Sequence, residues 1–148
     1  QGELIRPSDG KRPKKIAWIQ CAGSRNIGPG DVPYCSSVCC MYALKEAIVT
    51  KERFHDDIET SVFYMDMRTF GKDYELYYQR ARDDFGIRFV RCRPHTVDFH
   101  PEENDLSISY VTDGKSSIEK ETFDMVVLST GFCISPMELN WPKSLGLP

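Results

Sequence analysis

Four of the six cysteines lie close together, between positions 21 and 40 of the chain. Cys21, Cys35, Cys39 and Cys40 give the spacing C-x13-C-x3-C-C. Thiolates are ligands for soft metal ions, and a set of four thiolates suits either tetrahedral zinc or an iron–sulfur cluster. The residue types and their spacing therefore predict metal or cluster binding in this part of the chain.

The adjacent pair Cys39 and Cys40 helps to separate these two kinds of site. A structural zinc site usually has two C-x2-4-C pairs, which this spacing does not provide. Two neighbouring cysteines fit poorly around one small ion, whereas a cubane presents four separate iron corners, so the spacing favours a [4Fe–4S] cluster over zinc. The alternatives are four buried thiols without a ligand, or a redox-active pair, although a disulfide between adjacent cysteines is strained.

These cysteines flank a predicted strand-to-helix connection. The apolar run at 15–20, KIAWIQ, predicts a short buried strand that ends just before Cys21. Ser36 or Ser37 is predicted to cap the following helix. Apolar residues then recur at the spacing of one helix face, at Met41, Leu44 and Ile48.

The predicted helix start would bring the thiols together. If the helix begins near Cys35, Cys35 and Cys39 are one turn apart, and Cys40 lies about 100° further round. Cys21, at the carboxyl end of the strand, is at the edge of the same crevice. A helix N-terminus also favours the thiolate form, so we expect all four sulfurs to converge there.

The rest of the chain predicts the fold class. Strands are expected at 15–20, 58–66 and 87–92, with helices from about residue 36 and over 73–86; this β-α-β-α-β order builds a parallel sheet. Three short alternating segments at 96–100, 106–112 and 117–123 then predict an antiparallel β-meander, and 124–131 a closing strand. The class is therefore α/β: a Rossmann-like three-layer domain of the kind that binds dinucleotides in two-domain flavoproteins.

The connection after the first strand does not carry the usual dinucleotide fingerprint. Gly23, Gly28 and Gly30 do not fit G-x-G-x-x-G, and 13 residues separate Cys21 from Cys35. Ordinary NAD(P) binding is therefore disfavoured, although it stays open as a third hypothesis. The residues Asp66 and Arg68, after the second strand, could imitate ribose and phosphate contacts, but we interpret them as inherited architecture or a partner-facing loop.

Composition excludes several classes of protein. The chain has 148 residues, 28% of them charged, and a net charge of −3, without a basic block for nucleic acid. No apolar run approaches the roughly 20 residues that span a bilayer, and no apolar signal segment is present, so we expect a cytoplasmic protein. The polar first residues lack an initiator Met, which we interpret as a piece of a longer protein.

Four segments resemble a known family: RPSDGKRPKKIAWIQCAGSR, PYCSSVCCMYALKEA, FYMDMRTFGKDYELYYQRAR and VVLSTG. They are similar to the A subunit of heterodisulfide reductase, an iron–sulfur flavoprotein of anaerobic archaea and bacteria. The resemblance covers nearly the whole chain, and its most specific part is the cysteine block. It implies a degenerate nicotinamide-type domain inserted in a thioredoxin-reductase-like flavin domain, with residues 1–14 as a linker, 15–131 as the domain and 132–148 as the returning tail.

The resemblance also implies the chemistry. Cys21, Cys35, Cys39 and Cys40 would be ligands of a [4Fe–4S] cluster that exchanges electrons with FAD held by the rest of the protein. The possible edge of that FAD site is Thr130 and Gly131. The implied partners are other subunits of a heterodisulfide-reductase-like complex, with electron donors linked to hydrogenase or formate dehydrogenase. The domain alone would be inactive, and no residue of it is assigned as catalytic.

Two alternatives and two accessory residues remain. The domain could be a docking module stabilised by zinc or by an inert cluster, or an NAD(P)-binding oxidoreductase domain.

Arg25 and Lys45 border the cysteine loop and could offset the charge of a thiolate-bound cluster, with a plain surface role as the alternative. Cys92 and Cys133 fall outside the cluster spacing and are interpreted as packing residues.

Overall fold

Each strand and helix predicted from the sequence is present, with small changes in its bounds. The computed structural model describes residues 2–135 and Gly146; of the predicted tail, residues 136–145, 147 and 148 lie outside the described residues. The elements are β1 (Lys15–Ala22), α1 (Cys39–Phe54), β2 (Glu59–Tyr64), α2 (Tyr74–Asp83), β3 (Arg88–Arg91), β4 (Thr96–His100), β5 (Asp105–Tyr110), β6 (Glu119–Phe123) and β7 (Met125–Thr130).

The central sheet has four parallel strands in the order β3-β2-β1-β7. β1 lies between two neighbours, with Ile16 opposite Thr60 of β2 and Met125 of β7. Six consecutive residues of β1 are buried, as expected for a strand covered on both faces. The predicted parallel sheet is confirmed, and the structure places the closing strand β7 next to β1.

Alternating residues of β1 face different layers. Ile16 and Trp18 pack in the core formed with α1 and α2, whereas Ala17 and Ile19 pack on the other face against the meander. The meander is antiparallel in the order β4-β5-β6, and the ring of Phe63 lies edge-on to those of its neighbours Tyr110 and Phe123, with centroids 5.0 and 5.7 Å away. The three layers are helices, parallel sheet and meander, as predicted.

The predicted start of α1 is wrong. The helix begins at Cys39, and Val38 is the N-cap without a side-chain capping bond. Ser37 has a φ of 62°, a left-handed conformation that cannot open a right-handed helix, which is why neither serine caps it. Cys35 therefore lies in the loop, and the argument that placed it on the same helix face as Cys39 does not hold.

Both helices pack on the same side of the parallel sheet. α1 buries small and aliphatic side chains against β1, including Ala43, Leu44 and Ala47, and α2 contributes Ala81 to the same core. Within residues 2–135, no helix combines the length and apolar character needed to cross a bilayer.

The segment before β1 is attached to the amino-terminal end of the sheet. Arg6 is almost fully buried and donates hydrogen bonds to Asp9, Asp105 and Asp124, at 3.1, 3.3 and 3.4 Å. Asp124 also accepts hydrogen bonds from the backbone N–H groups of residues 14 and 15, at 2.6 and 2.8 Å. These bonds fix the start of β1 relative to the start of β7.

Candidate metal centre

A bulge at the end of β1 determines where Cys21 points. Ile19 is paired with Leu128, and Ala22 with Thr130, so three steps along β1 match two steps along β7. Cys21 has a φ of 60°, which is uncommon for a residue with a side chain. Bulges re-aim side chains. Without the bulge, Cys21 would continue the alternation of Ile19 and face the meander.

Three of the four predicted ligands meet. The thiols of Cys21, Cys39 and Cys40 are buried, and those of Cys21 and Cys40 both interact with the thiol of Cys39. The pKa of Cys39 is lowered, because its thiolate accepts hydrogen bonds from both neighbours. The same bonds, together with burial, raise the pKa values of Cys21 and Cys40. Of these three thiols, that of Cys39, at the first turn of α1, therefore ionises most readily.

The fourth predicted ligand lies apart from these interactions. Cys35 is half-buried in the loop before α1, and its Sγ accepts a hydrogen bond from the backbone N–H of Ser37 at 3.4 Å. All six cysteines are free thiols. In the part of the chain that the structure describes, no group of three or more His, Cys, Asp or Glu side chains has the arrangement of a metal site.

The long loop between Cys21 and Cys35 folds back on itself. The backbone N–H of Arg25 donates to the carbonyl oxygen of Tyr34 at 3.2 Å, and that of Val32 to Gly23 at 3.0 Å. These bonds bring the two ends of the loop together. They also place Arg25 beside the segment that carries Cys35.

Arg25 is the charged residue at this cluster of thiols. Its Nη2 donates to Asp66 Oδ2 at 2.7 Å, and its guanidinium group lies beside the Cys21 thiol, whose pKa it lowers against the larger opposing effects of Cys39 and burial. Its Nη1 is buried and makes no hydrogen bond of normal geometry within the part of the chain that the structure describes. Asp66 also contacts these thiols, since its backbone carbonyl oxygen accepts a hydrogen bond from Cys40 Sγ at 3.8 Å.

The carboxyl-terminal end of β7 closes the other side of the loop. A Cβ atom added to Gly131 would overlap Oγ and Cβ of Ser36, so only glycine permits this approach. Thr130 is exposed, and its side chain interacts with the phenol of Tyr42 on α1. The two residues predicted at a flavin edge thus contact the cysteine segment.

Curated relatives match this chain closely. The A subunit of an H2/formate:CoB-CoM heterodisulfide,ferredoxin reductase from Methanococcus maripaludis is 48% identical over 147 residues, which are 99% of this chain and 22% of that protein. An iron-sulfur A subunit of CoB–CoM heterodisulfide reductase from Methanopyrus kandleri is 45% identical over 130 residues, 88% of this chain and 20% of that protein. The chain belongs to the heterodisulfide reductase A-subunit family. It spans about a fifth of the length of these relatives.

The fold agrees with that of a flavoprotein reductase. Thioredoxin reductase from Lactococcus lactis superposes with a TM-score of 0.54 over 86% of this chain and 35% of its own, at 15% sequence identity. At that identity the likeness concerns the fold alone. No protein-family model matches the chain. For this segment of the heterodisulfide reductase family, the predicted Rossmann-like class is therefore confirmed.

The donor set of this heterodisulfide reductase segment fits an iron–sulfur group. The thiols of Cys21 and Cys40 each interact with that of Cys39, and the guanidinium group of Arg25 lies beside the Cys21 thiol. Cys35 lies in the loop before α1, and its thiol would have to move to join the others. Zinc would use the same thiolates, and the chemistry of the donors alone does not separate the two.

The sequence also singled out Lys45, Cys92 and Cys133. Lys45 is exposed on α1 and lines an open cleft of about 750 Å³ with the segment around Phe70 and Tyr74. Cys92 is buried with Ile19 on the meander face, and burial raises its pKa to about 11. Cys133 is exposed. The packing interpretation agrees with the position of Cys92, but not with that of Cys133.

Sequence reasoning missed several polar residues of the heterodisulfide reductase segment. Gln20, Ser24, Ser36 and Ser129 are buried or half-buried at the carboxyl end of the sheet, and their side-chain polar atoms have no hydrogen bond of normal geometry. One signal was available in the sequence: a glutamine that ends an otherwise apolar strand just before Cys21. Polar residues at that position of a buried strand commonly serve a site.

Proposed function

We propose that this domain binds a [4Fe–4S] cluster through Cys21, Cys35, Cys39 and Cys40. In this proposal it relays electrons to or from FAD within an oxidoreductase of the heterodisulfide reductase type. The observation that carries the proposal is the meeting of Cys21 with Cys39 and Cys40, because it requires a bulge in β1. A strand irregularity that directs one thiol to two others has little use in plain packing.

Each part of the site has a distinct task in this proposal. The cluster would supply one-electron transfer over a range of potentials set by its surroundings. The first turn of α1 presents backbone N–H groups and the positive end of the helix dipole to the thiolates of Cys39 and Cys40. Arg25 adds a positive charge, and the sheet and α1 exclude water from the buried thiols. The site is therefore suited to hold a negatively charged group.

The flavin part of the proposal places FAD outside this domain. The residues offered as the edge of its site are Thr130 and Gly131: Thr130 is exposed, whereas Gly131 already packs on Ser36. The names of the relatives mention H2, formate and ferredoxin, which supports partners of the kind that the resemblance implies. Reduction of a disulfide substrate would then take place on other subunits, and this domain would carry electrons between the flavin and those subunits.

Anaerobic purification followed by metal and sulfide analysis tests this function. About four iron and four sulfide per chain, with a paramagnetic signal after reduction by dithionite, is the expected result. Stoichiometric zinc without sulfide would instead support the docking module. Binding of NADH to metal-free protein would support the nicotinamide hypothesis, and either of these two results would overturn the proposal.

A further inference from the structure

Arg25 has a buried donor nitrogen, Nη1, that makes no hydrogen bond of normal geometry with the described residues. Nη2 of the same guanidinium group is bound to Asp66 at 2.7 Å. A buried charged donor without a partner is costly and uncommon in a native structure. The guanidinium group of Arg25 also lies beside the thiol of Cys21.

The position of Arg25 is fixed from several directions. Its backbone N–H donates to Tyr34, its carbonyl oxygen accepts from Arg93 Nη1 at 3.3 Å, and its φ is 56°. Asp66 holds the other edge of the guanidinium fork. The side chain is only 23% exposed, so it does not sample solvent as a surface arginine does. This is the arrangement of a preorganised donor.

The charge around Arg25 is positive overall. Asp66 is the acceptor for Arg25, but Arg68 and Arg91 also approach that carboxylate, at 3.9 and 3.8 Å. Three guanidinium groups thus share one carboxylate, and among the described residues only Arg91 has a second acidic partner, Asp113 at 3.8 Å. Asp66 therefore orients Arg25 without cancelling the positive charge that faces Cys21.

We propose that Arg25 donates a hydrogen bond from Nη1 to the Cys21 thiolate of the loaded site and thereby raises the reduction potential of the cluster. Asp66 is the positioning residue for this donor. The inference rests on the proposed function and adds a residue that adjusts the free energy of electron transfer to the cluster. Reduction adds one electron, and hence one negative charge, to the cluster. A fixed cation that donates to a ligand sulfur stabilises this reduced form more than the oxidised form.

The test is a redox titration of the chain loaded with iron and sulfide under anaerobic conditions. Dithionite supplies the electron, and the signal of the reduced cluster is followed by EPR. Arg25→Gln should lower the equilibrium constant for reduction at least tenfold, which is a shift of about 59 mV to more negative potential for one electron. Arg25→Lys keeps the charge but loses the planar fork, so its shift should be smaller.

Arg91→Gln is the matched control. It removes the same charge from the same carboxylate, but Arg91 is 62% exposed and contacts Asp66 and Asp113. Its potential should stay close to that of the unchanged chain. An unchanged potential in Arg25→Gln, or an equal shift in Arg91→Gln, would overturn the inference while leaving the proposed function intact. If the unchanged chain takes up no iron and sulfide, the proposed function fails, and the inference fails with it.

Discussion

The two ends of the parallel sheet are built differently. At the amino-terminal end, polar groups are paired: Asp124 accepts hydrogen bonds from two backbone N–H groups and from Arg6, and Glu121 accepts from Arg88 and from Tyr110. Lys15, the first residue of β1, adds an ion pair to Glu121 at 2.8 Å. Among the described residues at this end, Thr60 alone has a buried side-chain polar atom without a hydrogen-bond partner.

At the carboxyl-terminal end, several buried side-chain polar atoms have no hydrogen-bond partner among the described residues. Of the six described residues with buried, unpaired side-chain polar atoms, five are at this end, and the sixth is Thr60 of β2; the five are Gln20, Ser24, Arg25, Ser36 and Ser129. Four residues with side chains also adopt positive φ there: Cys21, Arg25, Ser37 and Asp73. Unpaired polar atoms and strained backbone cost free energy, and they persist where a site needs them.

The difference between the two ends separates stability from function. The amino-terminal end joins the layers by hydrogen bonds and ion pairs between residues of the domain. The carboxyl-terminal end holds thiols, a buried donor and a bulge in an arrangement that a ligand would complete. Proteins commonly depart from local rules at functional sites, which is how the site is recognised in this domain.

The largest expected effect separates two buried cysteines on opposite faces of the sheet. Cys39→Ala should reduce the iron retained after anaerobic loading to less than about a quarter of that of the unchanged chain, because a ligand at the centre of the thiols is lost. Cys92→Ala, on the meander face, should retain nearly all of it. Iron analysis after gel filtration measures both, and equal losses would contradict the ligand assignment.

A smaller loss of bound iron is expected when a larger side chain is placed against the loop that carries Cys35. Gly131→Ala places a Cβ against Ser36 and should displace the segment that carries Cys35, reducing iron retention by roughly half. The double variant Gly131→Ala with Ser36→Gly removes the colliding atoms and should restore retention. If the double variant loses as much iron as the single one, the contact between Gly131 and Ser36 is not what shapes the loop.

Two buried serines provide a matched pair for stability. Ser107, on the meander, shares a hydrogen bond of 2.8 Å with His100 Nε2, so Ser107→Ala should lower the free energy of unfolding by about 1 kcal/mol. Ser129 is equally buried but unpaired, so Ser129→Ala should be neutral or stabilising by up to about 1 kcal/mol in the cluster-free chain. Urea unfolding of both variants measures the difference. Equal destabilisation would show that Ser129 is paired in solution.

The smallest expected effect is on the stability of the domain at low pH, through the carboxylate of Glu121. Burial opposes ionisation of Glu121, but hydrogen bonds from Lys15, Arg88 and Tyr110 outweigh it and hold its pKa below the ordinary value of 4.5. Its contribution to stability is therefore complete above that value and is lost as the pH falls through the lower folded pKa. Melting temperatures measured from about pH 6 to about pH 3 should fall less steeply for Glu121→Gln than for the unchanged chain. Parallel curves would contradict this account of the amino-terminal end.

Periodicity in the sequence was enough for the fold, because buried strands and amphipathic helices alternate in a recognisable order. The start of α1 could not be read in the same way: two serines favoured a cap, but Ser37 has a left-handed backbone that only the packed loop imposes. The bulge before Ala22 depends on the register with β7, more than 100 residues later in the chain, and local sequence carries no record of it.

The site was predicted in part for a similar reason. The cysteine spacing indicated the ligands, and both Arg25 and Asp66 were noticed, but separately. They follow neighbouring parallel strands, whose carboxyl ends meet at one edge, so their contact could have been expected. The unpaired state of Ser24 and Ser129 could not, since it depends on which acceptors the folded chain leaves within reach.

Hydrogen–deuterium exchange with and without the cluster tests most directly whether the carboxyl-terminal end is the part that a ligand completes. Loading with iron and sulfide should slow exchange in residues 21–40 and leave residues 4–15, at the amino-terminal end, unchanged. The Cys39→Ala variant, treated in the same way, should show no protection in either segment. Equal protection of both segments, or none in residues 21–40 of a chain that has taken up iron, would contradict the account.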